Sequence, residues 1–138
     1  MRVPLLLLSA TLAAASAGAD TPGLTVDHPG LTCLVAGRHP VTTAKVAPEE
    51  QVPRARVYFR GGGHPRWYYV DMAATQGTFR GTLPKPTLQL KTVEYYVDGL
   101  GRTLAEARSP NHAPRVVRDE TECHGEALLL LPQARVVV

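Results

Sequence analysis

The chain has 138 residues, with 15 Lys/Arg against 12 Asp/Glu and a net charge of +3. So small a charge gives no reason to expect nucleic acid as the partner, and a hydrophobic share of 44% is too high for a disordered polyelectrolyte. Two cysteines are too few for a disulfide-dense miniature scaffold or a four-cysteine zinc module.

Residues 1–17 read as a secretory signal peptide. Arg2 supplies the positive start, Leu5 to Leu8 and the following alanines supply the apolar stretch, and Ala15-Ser16-Ala17 is a cleavage site of the A-x-A kind. The alternative is a membrane anchor. It is disfavoured because the apolar run falls short of the roughly 20 residues a bilayer needs, and small residues follow it instead of a charged stop. The expectation is an exported protein of the periplasm, cell surface or extracellular space, not membrane-spanning after cleavage. From Gly18 onward the chain is of single-domain size.

Residues 18–37 read as an exposed leader. Asp20 to Gly30 mixes Pro, Gly, His and Asp without periodicity, and a short apolar run around Cys33 follows. Residues 38–118 read as a β-domain. Val41 to Val46 is rich in β-branched residues and ends before Pro48. In Arg54 to Arg60, the residues Ala55, Val57 and Phe59 alternate with Arg54, Arg56, Tyr58 and Arg60. Such alternation marks a strand with one buried face. Gly61-Gly62-Gly63 reads as a hairpin loop. The next strand puts Tyr68, Val70 and Met72 on one face and Trp67, Tyr69 and Asp71 on the other. Phe79, Gly81 and Leu83 alternate with Thr78, Arg80 and Thr82, and Pro84 ends that run. Val93, Tyr95 and Val97 face in, with Glu94, Tyr96 and Asp98 out. Thr103–Arg108 reads as an edge strand and Arg115–Arg118 as the last one. Strands at this spacing predict an all-β, two-sheet sandwich of about seven strands.

Residues 119–138 read as a C-terminal extension. Ala127 to Leu131 allows at most one helical turn before Pro132. This run and Val136 to Val138 are too apolar for a solvated tail, so they are expected to be covered, by packing on the domain or by a partner.

Cys33 and Cys123 bracket the strands. In an oxidising compartment two cysteines predict one disulfide, and pairing between chains is the alternative. The first and last strands of a seven-strand sandwich finish at opposite ends. The two cysteines therefore meet only if Leu34 to Pro40 runs back along the fold.

The residues Tyr58, Val70-Asp71-Met72, Phe79-Arg80-Gly81-Thr82-Leu83-Pro84, Val93-Glu94-Tyr95-Tyr96-Val97 and Ser109-Pro110 together form a pattern. Over about residues 41–118 it resembles the fibronectin type III-like and immunoglobulin-like domains of bacterial secreted proteins. That resemblance implies a β-sandwich acting as a spacer or accessory module. The chain departs from the pattern at Asp98-Gly99-Leu100-Gly101, where the family carries a longer turn. Sandwich domains host many roles, so the resemblance speaks to fold more than to function.

Several chemistries lack their residues. After the signal the one serine is Ser109, followed by proline, and no G-x-S-x-G elbow exists. The triple glycine is not followed by Gly-Lys-Ser/Thr, so it is no phosphate loop. His28, His39, His64, His112 and His124 sit in loops or beside proline without metal-ligand spacing, and are read as solvated. No catalytic residue, metal site or cofactor is assigned, and the chain is not expected to be an enzyme.

Asp71, Glu94 and Asp98 share the outward face and admit a reading as glycosidase carboxylates. Ion pairs to Arg56 and Arg60 across strands are the commoner arrangement. The same face gathers Arg56, Tyr58, Arg60, Trp67, Tyr69 and Tyr96, the residue types enriched at binding hot spots. They are also good strand formers, which explains each of them singly.

Charge is uneven along the chain. Arg38 to Lys91 carries nine Lys/Arg and three Asp/Glu, whereas the chain after Lys91 carries five and seven. The two regions either pair with each other or leave a basic face for an anionic envelope polymer. The first functional reading is a non-catalytic exported binding or structural module that contacts protein or envelope polymer. The alternatives are an accessory subunit of an envelope or secretion complex, and a carbohydrate-active enzyme.

Overall fold

The structure, a computed structural model, describes residues 23–129, with side chains through His124. The expected signal peptide of residues 1–17 and the apolar residues beyond Leu129 lie outside the described residues. Among the described residues ten strands occur in order: β1 (Thr25–Asp27), β2 (Cys33–Val35), β3 (Val41–Ala47), β4 (Arg54–Gly61), β5 (Tyr68–Asp71), β6 (Ala73–Thr75), β7 (Thr78–Thr82), β8 (Val93–Leu100), β9 (Glu106–Arg108) and β10 (Arg115–Val117). One helix, α1 (Glu120–Leu129), follows them.

Two four-stranded antiparallel sheets face each other, in the orders β1-β3-β7-β6 and β5-β4-β8-β9. Inward residues of both form one core. Ala44, Val46 and Phe79 come from the first sheet, and Ala55, Val57, Tyr95 and Val97 from the second. Phe59 and Val70 pack against its margin. The alternation in the sequence thus maps onto the pleat, and burial of these side chains drives the sheets together. The protein is an all-β sandwich with one disulfide.

Glycine lets the sheets approach at Gly81 and Gly99. A Cβ on Gly99 would stand 2.9 Å from a Val46 methyl, and one on Gly81 would stand 3.0 Å from a Val57 methyl. The β6–β7 turn has positive φ at both Gln76 and Gly77, the type I′ geometry that suits a tight hairpin.

Seven strands were expected from the alternation, and β1, β2 and β6 are additional. β5 and β6 form one extended run that changes sheet at Met72. The Met72 N–H still donates to Ala55 O at 3.0 Å, its side chain lies in the core, and Ala73–Thr75 then pairs with β7. A strand that bends between layers in this way keeps an unbroken sequence pattern.

Over its described part, the stretch 18–37 is not an exposed leader. Thr25–Asp27 pairs with β3, and Cys33–Val35 pairs in parallel with β10. Leu34 is buried, and Leu24, Val26 and Leu31 pack on the core. Backbone pairing holds this segment in place of the missing side-chain periodicity.

Over its described part, the extension beginning at residue 119 is helical. Asp119 Oδ1 accepts the Thr121 N–H at 2.9 Å and the Glu122 N–H at 3.4 Å, capping α1, and Glu120 and Glu122 lie in its first turn. The Thr121 hydroxyl also donates to Asp119 and is the main influence holding that carboxyl below its usual range. Asp119 with Glu122 three residues on is the capping signal that the apolar pattern of 127–131 hides.

Helix α1 returns the chain past the start of β2. Cys33 and Cys123 are disulfide-bonded with Cα atoms 5.8 Å apart, closing a loop with a sequence separation of 90. A parallel β2–β10 pair followed by a reversing helix resolves the topological difficulty without any return of residues 34–40 along the fold.

Candidate functional site

The outward face of β5-β4-β8-β9 collects the six binding candidates Arg56, Tyr58, Arg60, Trp67, Tyr69 and Tyr96. Register does this directly. Tyr58 of β4 lies opposite Tyr69 of β5 and Tyr96 of β8, and Arg60 lies opposite Glu94. Trp67, just before β5, completes the group. The Tyr58 and Tyr96 rings stack at 5.0 Å between centroids with planes 10° apart. Tyr69 is 5.6 Å from Tyr58, and Trp67 meets Tyr96 edge-on at 5.1 Å. These separations fall in the range that aromatic pairs prefer.

Guanidinium groups cover the rings. Arg56 lies 4.1 Å from the Tyr69 centroid, and Arg60 lies 4.4 Å from that of Trp67. Each is also held by a carboxylate across the strand. Arg56 Nε donates to Asp71 at 2.7 Å, and Arg60 Nε donates to Glu94 at 2.5 Å. The Asp71 bond is the leading reason that the Arg56 guanidinium holds its proton even more firmly than usual. The carboxylates considered as a glycosidase pair are therefore engaged in ion pairs at two of three positions.

Arg108 is a member that the sequence did not disclose. It sits 3.3 Å from the Tyr96 centroid and donates from Nη2 to Asn111 Oδ1 at 2.9 Å. Its place follows from the β8–β9 register, which sets Arg108 opposite Asp98. A three-residue strand carries too little alternation to reveal its outward face. Together, Tyr58, Tyr96, Asp98, Glu106 and Arg108 line an open hollow of about 470 Å³. Partial burial pushes the Asp98 carboxyl upward, and Glu106 adds to the shift. Desolvation likewise raises the Tyr96 hydroxyl.

Arg54, Arg56, Arg60 and Arg108 share this face with Asp71, Glu94, Asp98 and Glu106. Four positive and four negative groups cancel. The surface is thus aromatic and charge-balanced, although its β4 strand alone reads as basic.

A second polar cluster lies within the sandwich. His28 Nδ1 donates to Thr43 O at 2.6 Å, and its Nε2 shares a hydrogen bond of 2.7 Å with the Tyr95 hydroxyl. The Tyr95 oxygen in turn accepts the Leu31 N–H at 2.7 Å. His112 stacks on Tyr95 at 5.2 Å, and its Nε2 is buried without a hydrogen-bond partner. Burial, reinforced by His28, lowers the His112 pKa, and burial raises that of Tyr95. His28 and His112 are thus not merely solvated loop residues: the leader segment packs over β8 and enrols them. His39 stays exposed, with its Nδ1 donating to Leu83 O at 2.9 Å.

Ser109 is structural, since its hydroxyl accepts the Val97 N–H at 2.9 Å and donates to Pro110 O at 3.0 Å. Among the described residues, no group of three or more His, Cys, Asp or Glu side chains is placed to hold a metal ion, and no helix is long and apolar enough to cross a membrane.

No protein-family model matches the chain, and no curated protein matches its sequence. Among solved structures it is similar to an engineered protein known from a crystal structure, with a TM-score of 0.52 and 14% identity. The match covers 67% of this chain and 20% of that one. At this identity the likeness concerns the fold alone.

Proposed function

We propose that the protein is an exported, non-catalytic binding module of the fibronectin type III-like or immunoglobulin-like kind, and that the outward face of β5-β4-β8-β9 docks a protein partner. One observation carries the proposal. Tyr58, Trp67, Tyr69 and Tyr96 form a continuous ring cluster braced by Arg56, Arg60 and Arg108. Large planar groups held rigid before binding lose little entropy on contact, and aromatic and arginine side chains dominate interface energetics.

Charge favours protein over an anionic polymer. A polymer-binding face needs uncompensated cations, whereas two of these arginines are already bonded to carboxylates. A spacer or accessory role in an envelope or secretion assembly agrees with such a surface. Export is supported by the signal-like N-terminus and by the disulfide, which suits an oxidising compartment.

The test is quantitative capture from an envelope fraction with the purified protein as bait. An R56A/Y69A double variant is expected to lose the captured protein. Thr82→Ala, exposed on the opposite sheet, retains it. Equal capture by all three well-folded proteins removes this face from consideration. Capture that instead vanishes with added salt, and that soluble polyanions displace, favours the polymer reading.

A further inference from the structure

Both sheets have edges, and they are not equally guarded. β1, β6 and β9 are three-residue strands at sheet edges, and β9 carries Glu106 and Arg108 at its ends. Short, charged edges discourage pairing with another chain. β5 also pairs on one side only, with β4. It is four residues long, reads Tyr-Tyr-Val-Asp, and has neither lysine nor proline within it. Among the described residues, its free edge is the least protected of the two four-stranded sheets.

Beside the start of β5 the sandwich opens into an apolar pocket of about 140 Å³. Leu34, Phe59, Tyr68, Leu83, Pro86 and Val93 line it. Tyr68 belongs to the inward face of β5 but is 52% exposed, because it stands at the pocket mouth, stacked on Phe59 at 5.9 Å. The walls are fixed. Gly37 N–H donates to Pro86 O at 2.9 Å, and Leu83 N–H donates to Pro40 O at 2.8 Å. Gly61 keeps one wall in place, since a Cβ there would come within 2.8 Å of a Leu90 methyl.

Pocket size decides what fits. Small-molecule sites usually run from about 300 to 1,000 Å³, and this pocket is well below that range. Its volume suits a single ring or branched aliphatic group. Exposed Lys85 and half-buried Arg60 stand at its rim. Arg60 is engaged by Glu94, whereas Lys85 makes no ion pair among the described residues.

We propose that β5 is a docking edge for an extended acidic–apolar peptide, which adds to the sheet as a strand and seats one apolar side chain in the Phe59–Tyr68 pocket. Main-chain hydrogen bonds to a sheet edge supply affinity, and a pocket for alternate side chains supplies selectivity. Lys85 selects a carboxylate two positions from the seated residue, on the same face of the added strand. This site adjoins the outward aromatic face and shares Arg60 with it, but its apolar pocket opens between the sheets.

The probe is the blocked peptide Asp-Val-Phe-Val-Asp, titrated into the isotope-labelled mature protein and followed by solution NMR. Binding should protect amides of Tyr68–Asp71 from exchange and bring the peptide ring within magnetization-transfer range of the Leu83 methyls. Replacing the peptide phenylalanine by alanine should weaken binding about tenfold, as should Tyr68→Ala in the protein. Lys85→Glu should weaken it about threefold at low salt and tests the same site if Tyr68→Ala does not fold. Arg108→Ala, on the outward face, should leave it unchanged.

The proposal is overturned by an absence of binding at millimolar peptide or by ring contacts without protection of β5. An equal loss in Arg108→Ala, or self-association through β5 that the peptide cannot displace, also overturns it. None of these outcomes bears on capture by the aromatic face, so the two assignments stand or fall separately.

Discussion

Tyr95 and Tyr96 are neighbours in β8 and do opposite work. Tyr95 points inward, is 0% exposed, and has its hydroxyl placed between His28 and the Leu31 N–H. Tyr96 points outward, lies half-buried, and stacks between Tyr58, Trp67 and the Arg108 guanidinium. The pleat alone assigns these roles. The inward ring is part of what holds the leader segment on the sandwich, and the outward ring belongs to the face proposed to dock a partner. On that proposal, stability and binding are separable along one strand.

Replacing each tyrosine in turn breaks the comparison most severely. Tyr95→Ala should cost about 3–5 kcal/mol in chemical denaturation, because it leaves a core cavity and strands the groups that met its hydroxyl. Tyr96→Ala should cost about 1 kcal/mol or less, the scale of a cross-strand pair, while abolishing partner capture. Equal destabilisation would mean that the outer stack is structural and not a reserved surface. Tyr95→Phe sharpens the point. It keeps the ring and removes only the hydroxyl, so about 1–3 kcal/mol should be lost. Exchange protection should fall first at Leu31 and in β1, where the hydroxyl anchors the chain.

Acid should loosen the inner cluster. The folded state lowers the His112 pKa below its ordinary 6.5, chiefly through burial, with His28 nearby and Tyr95 stacked on it. The unfolded chain then binds the proton more readily. His112 therefore contributes stability that is full above about pH 6.5 and is lost as pH falls through its lower folded value. The melting temperature should decline on acidification from pH 7. His112→Phe, which keeps a ring against Tyr95 and removes a nitrogen without a partner, should flatten that decline. An unchanged slope would show that His112 titrates in the folded protein as it does in water.

What was legible in the sequence follows the same division. The core residues Val57, Phe79, Tyr95 and Val97 were readable because each strand keeps strict alternation over several residues. The outward group was readable for the same reason, by parity. Arg108 was not, since its strand is three residues long and its face depends on register with β8. The leader was misread because β1 and β2 are short and depend on backbone pairing to β3 and β10, which lie distant in sequence. Local patterns cannot report that kind of support. The helix was missed for the opposite reason. Its start is written in a cap at Asp119, while its described side chains carry no apolar stripe.

The smallest effect tests the outer face most closely. Arg60 and Glu94 both keep 28% of their side-chain surface exposed, and Arg60 lies over Trp67. A double-mutant cycle with Arg60→Ala and Glu94→Ala should give a coupling energy of about 0.2–1 kcal/mol, because partly solvated charges gain little from meeting. The pair matters for another reason. With Glu94 removed, the guanidinium loses the bond that holds it over the indole, and the ring cluster loses part of its bracing before any partner arrives. Glu94→Ala should therefore weaken partner capture by more than its stability cost implies. If capture falls only in proportion to stability, the arginines are ordinary cross-strand ion pairs, and preorganisation of the aromatic face has no role in binding.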